Sequence, residues 1–99
     1  MLLKLGVSIE KLNREIRRAT VPIEIVYAEN GDEAVLTSAG EGTHGVGSLH
    51  YANDAVDVRM PKSNAGEVAQ DLRRKLGPDF DVVLELDHIH VEYDPKQGR

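Results

Sequence analysis

The sequence predicts an α+β fold, a small antiparallel sheet packed with two or three helices. Three observations predict it. Apolar residues recur every three or four positions in 8–19 and in 64–76, apolar and charged residues alternate in 55–59, and 82–93 is the most β-prone stretch of the chain. At 99 residues the chain is a single domain over 1–99, long enough to bury about 60–65% of its unfolded surface.

In 8–19, Ile9, Leu12 and Ile16 mark one face of a short amphipathic helix, with Glu10 early and Arg14, Arg17 and Arg18 at a solvated end. The stretch 21–28 alternates like a strand, yet Thr20 can cap, Pro22 suits a first turn, and Asn30-Gly31 is a stop, so a second short helix is favoured. A buried strand follows at 34–37, then a loop over 38–49 that holds Gly40, Gly42, Gly45 and Gly47. The next strand is 55–59, ended by Pro61. Ser63 or Asn64 caps a helix that runs to Leu76, where Gly77-Pro78 stops it. The stretch 82–93 divides into two strands at a bend near Asp87-His88, and 95–99 is a polar tail.

Composition removes several functions. Seventeen acidic residues against twelve basic ones give a net charge of -5, which disfavours nucleic acid and anionic membrane as partners. There is no cysteine, so disulfides, a thiolate nucleophile and cysteine-ligated zinc are excluded. The opening run Met1-Leu2-Leu3-Lys4-Leu5-Gly6-Val7 is too short and interrupted to be read as an export or membrane signal, so synthesis in the cytoplasm is expected.

All four histidines fall in two segments, 43–57 and 85–90, together with the clearest candidate acids. His50 and Asp57 suit a ligand before a turn and another on the strand that follows. His88 and His90 are two apart, so on a strand their imidazoles leave the same face. Asp87 has opposite parity and reaches the same centre only if the backbone turns beside it. Each segment alone is a weak signal: a lone His-x-His on a strand is ordinarily an exposed or hydrogen-bonded pair.

The joint pattern is more specific. Ser-x-His-x-x-x-x-Ala-x-Asp in 48–57, followed by Asp-His-x-His in 87–90, resembles the zinc D-alanyl-D-alanine carboxypeptidases and peptidoglycan endopeptidases of the hedgehog-type fold. The runs Gly-Ser-Leu-His-Tyr, Asp57-Val58-Arg59 and His88-Ile89-His90-Val91-Glu92-Tyr93-Asp94-Pro95 are most similar to short phage-encoded members. The resemblance spans about 36–95. It implies one zinc ion on His50, Asp57 and His90, Asp87 as general base, His88 beside the reacting carbonyl, and peptidoglycan peptides as substrate. Such an ion activates water and polarises a carbonyl; the ligand set also admits manganese or cobalt.

This chain departs from the family at two places. Asn53 stands where many relatives have glycine, and asparagine tolerates a left-handed turn better than most residues. Carboxypeptidase members carry an upstream arginine to orient substrate, whereas here no arginine lies between Arg18 and Arg59. His44, Ser48 and Arg59 are the candidate substrate contacts, with pairing to Asp57 or Glu85 as the plainer role for Arg59. Glu85 is the rival base. The alternative to an enzyme is a non-catalytic metal-binding module of a phage structural or cell-wall-binding protein. Either one acts at the bacterial wall after release through a lysis pore or delivery with a virion.

Overall fold

The computed structural model describes residues 1–39 and 53–95. Seven elements follow in order: β1 (Leu2–Leu3), α1 (Arg14–Glu29), β2 (Val35–Ser38), β3 (Ala55–Arg59), α2 (Ala65–Leu76), β4 (Phe80–Leu84) and β5 (His88–Tyr93). The five strands form one sheet in the order β1-β2-β3-β5-β4. The fold is α+β. The sheet is antiparallel except at one edge, where β1 runs parallel to β2 and pairs Leu2 with Val35. The two-residue β1 lies in the run whose periodicity is too short to announce a strand.

The sheet has a core face and a polar face because its strands alternate. Val56, Val58, Ile89, Val91, Leu36 and Val82 lie in one cluster with Ile16, Ile23, Val26 and Tyr27 of α1 and Val68 and Leu72 of α2. Both helices therefore cover one side, leaving Asp57, His88, His90 and Glu92 on the other. Tyr27 is fully buried and donates its hydroxyl to the Arg59 carbonyl at 2.7 Å, which ties α1 to the end of β3. Burial raises its phenol well above the ordinary value, so this donor stays protonated.

The two short helices expected over 8–19 and 21–28 are one helix of 16 residues that starts later, at Arg14, and runs through Pro22. Thr20 does not cap: its hydroxyl donates back to the Arg17 carbonyl at 2.7 Å. Proline lacks the donor that the Arg18 carbonyl would receive. The buried stripe Ile16, Ala19, Ile23, Val26 and Tyr27 continues in phase on both sides of Pro22. Burying those side chains is worth about 1.5–3 kcal/mol for each large one, more than a missing bond costs. Asn30 and Gly31 end the helix as expected, with Gly31 at φ 74°.

β3 spans the residues the alternation predicts. Asn64 precedes α2, at φ 58° and without a side-chain cap bond. The β4 strand begins at Phe80, two residues before the expected start, where Phe80 packs against Tyr93 with ring centroids 5.2 Å apart and ring planes inclined at 55°. The expected bend is the connection between β4 and β5, closed by the Glu85 amide donating to the His88 carbonyl at 2.9 Å. The glycine-rich loop beyond residue 39 and the tail beyond residue 95 lie outside the described residues.

A test of the α1 argument is Pro22→Ala. Alanine restores the donor and its own high propensity, partly offset by a freer unfolded chain. Urea unfolding should show a gain of about 2 kcal/mol. A loss would mean that the proline ring itself packs the core.

Candidate functional site

The site is built from the pairing of β3 with β5. In this antiparallel ladder Asp57 is the direct partner of His90, and Arg59 of His88. Directly opposed residues hold their Cβ atoms about 4.5–5.5 Å apart, within reach of a short carboxylate and an imidazole. Asp57 Oδ1 accordingly lies 2.8 Å from His90 Nδ1 and 3.6 Å from His88 Nε2. The turn before β5 brings Asp87 Oδ1 to 2.7 Å from His88 Nδ1. Asp57, Asp87, His88 and His90 thus meet in one chain of contacts, although 33 positions separate Asp57 from His90.

The entry to β3 is held independently. Asn53 has φ 71°, a left-handed turn that asparagine tolerates better than most residues. Its carbonyl accepts from the Asn13 amide at 2.9 Å, and the Asn13 side chain donates to Asp54 Oδ1 at 2.6 Å. The Tyr93 amide closes the same corner on the Asp54 carbonyl at 2.8 Å. These bonds anchor the turn four residues upstream of Asp57.

His90 sits between two carboxylates. Its Nε2 lies 3.0 Å from Glu92 Oε1, on the side of the ring away from the Asp57 contact. The Asp57 bond, opposed by burial and assisted by Glu92, pushes the imidazolium up to about 9. The two ring nitrogens can then both donate. Asp87 is held below the usual carboxylate range, chiefly by its bond to His88. At neutral pH it is an ionised, exposed carboxylate that can receive a proton.

The remaining expectations divide. His50, His44 and Ser48 lie outside the described residues. Arg59 is drawn away: it donates to the Glu33 carbonyl at 3.1 Å and lies 3.5 Å from Asp32 Oδ1. That pairing corrects the expected partners Asp57 and Glu85, because the connection after α1 brings a nearly buried carboxylate to the end of β3. Comparisons with protein-family models, curated proteins and solved structures find no match.

Sequence reading passed over a second group. Asp81, Glu92 and Asp94 can hold a metal ion, with one ligand atom from each lying within 4.8 Å of the others. The geometry follows from the strands: Asp81 opposes Glu92 in the β4–β5 ladder, and Asp94 follows Glu92 by two. The sequence signal was the parity shared by His88, His90 and Glu92. An all-carboxylate set suits hard cations, whereas an imidazole–carboxylate set suits zinc.

Asp57 and His90 meet a simple fit test for zinc. Ligand atoms about 2.0–2.1 Å from a tetrahedral ion lie roughly 3.3 Å apart. Their facing atoms are 2.8 Å apart, so an opening of about half an ångström admits an ion.

The metal-free protein should show the His90 proton in its stability. The folded value lies above the ordinary 6.5, so the folded chain holds a proton that the unfolded chain releases. The contribution is complete below about pH 6.5 and disappears as pH rises through about 9. With chelator present, the urea midpoint should fall across that window, and His90→Gln should flatten the fall. An unchanged slope in the variant would remove His90 as its source.

Proposed function

We propose that the protein is a zinc-dependent peptidase that hydrolyses peptide bonds in peptidoglycan stem peptides, holding the ion on His50, Asp57 and His90. The observation that carries this reading is the contact of Asp57 with His90, flanked by His88 and Asp87: these are the residues the family resemblance singles out, drawn from two distant segments. A bound zinc ion supplies Lewis-acid activation of water and of a peptide carbonyl.

The chain's own groups then have separate tasks. The Asp87 carboxylate, ionised at neutral pH, takes a proton from the attacking water and returns it to the departing amine. His88 gives Nδ1–H to Asp87 and directs Nε2 toward Asp57. In its protonated form it donates from Nε2 as well, which stabilises negative charge developing on the carbonyl oxygen. Among the described residues no helix is long and apolar enough to cross a membrane. Action at the wall follows release through a lysis pore or carriage with a virion.

Two observations favour a second reading, a metal-binding module without catalysis. Arg59 lies 3.5 Å from Asp32 Oδ1, a pairing that competes with any use of it in place of the upstream arginine. Asp87 is already bonded to His88 and held below the usual carboxylate range, which makes it a weaker base.

Zinc content and muropeptide hydrolysis, measured on the same preparations, separate the readings. The peptidase binds a single zinc ion. His50→Ala, Asp57→Ala and His90→Ala lose both metal and turnover, while Asp87→Ala keeps zinc and loses about 10²–10⁴-fold in rate. Full zinc content in the ligand variants would overturn the site, and zinc without hydrolysis at any pH would establish the second reading.

A further inference from the structure

Glu92 is the buried acid of the polar sheet face, 7% exposed as a residue. A buried carboxylate is costly without a donor, and two further acids, Asp81 and Asp94, lie within 4.8 Å of its ligand atom. Its described partner is the Nε2 of His90, at 3.0 Å. The side chains differ in access: Asp57 is 27% exposed and Glu92 only 10%, so an ion arriving from solvent reaches the Nδ1 side of the ring first.

An imidazole that gives one nitrogen to a metal keeps its proton on the other. A buried N–H needs an acceptor, and an acceptor fixed by packing also fixes the ring's tautomer and orientation. Glu92 follows His90 by two on the same strand, so the pleat that presents His90 to Asp57 presents Glu92 to the opposite edge of the ring.

We propose that Glu92 is the positioning residue of the metal centre: it accepts the Nε2 proton of His90 and holds the ring with Nδ1 facing Asp57 and the ion. This role rests on the zinc reading above. It differs from membership of the Asp81–Glu92–Asp94 group, in which Glu92 would itself ligate a cation.

The test uses the full chain and zinc alone. Zinc affinity is measured by competition with a chelator for the native protein, Glu92→Ala, Glu92→Gln, Asp81→Asn and Asp57→Ala, and the ring nitrogens of His90 are read by ¹⁵N NMR in the zinc-loaded state. The expected result is a proton on Nε2 and metal on Nδ1, with Glu92→Ala weakening zinc binding about 10–100-fold. Glu92→Gln keeps an acceptor oxygen, so it should retain the same tautomer with a several-fold loss; it carries the test if Glu92→Ala does not fold.

Unchanged affinity in the folded Glu92 variants, or metal on Nε2, would overturn the role. So would an Asp81→Asn loss as large as that of Glu92→Ala, because it would assign the ion to the acidic group. The Asp57→Ala control separates the two levels. If Asp57→Ala abolishes binding and the Glu92 variants do not affect it, only the positioning role falls; if Asp57→Ala also binds normally, the zinc reading fails with it.

Discussion

The register between β3 and β5 is the constraint on which the site depends. Pairing Asp57 with His90 puts their side chains on one face, and sliding either strand by a single residue would send its polar set into the core. What holds the register is the opposite face. Val56, Val58, Ile89 and Val91 are each at most 1% exposed, and full burial of such a side chain is worth about 1.5–3 kcal/mol. A hydrogen bond or partly exposed ion pair contributes about 1 kcal/mol or less. The apolar face therefore selects the alignment, and the chemistry on the polar face is placed by it.

The same alternation explains which parts of the molecule the sequence made legible. β3 was readable because apolar and charged residues alternate through Ala55–Arg59, and the division of the last β stretch was readable from Asp87-His88. The contact of Asp57 with His90 was not legible from either segment alone, since neither carries its partner's position. α1 was divided in two because Thr20 and Pro22 are local start signals, while the stripe from Ile16 to Tyr27 that overrides them matters only once a sheet lies beneath it. β1 has two residues and no period of its own.

Glu92 was illegible for a different reason. In sequence it is one more acid in a chain with seventeen Asp and Glu residues, and its parity with His90 gains meaning only when burial removes water as the competing partner. Arg59 was misread in the opposite way. Strand position suggested Asp57 or Glu85, but the nearly buried Asp32, brought in after α1, offers a better-desolvated partner. In both cases the deciding quantity is access to solvent, which a one-dimensional pattern does not contain.

Charge on the polar face sets which ring proton of His90 costs least to lose. Glu92, Asp81 and Asp94 crowd within 4.8 Å of one another, and two full charges at that spacing repel by about 3–4 kcal/mol at an effective dielectric constant near 20. The Nε2–H of His90 offsets part of that repulsion where solvent is scarcest. On the other side of the ring, Asp57 faces the edges of two imidazoles, His90 and His88, and more water, so giving up the Nδ1 proton exposes less uncompensated charge than giving up the one on Nε2. In the proposed zinc centre, an ion beside Asp57 would replace that proton with a larger positive charge and leave the buried one in place. The asymmetry of burial, fixed by the strand register, thus leaves the Nδ1 edge of His90 the more accessible of the two.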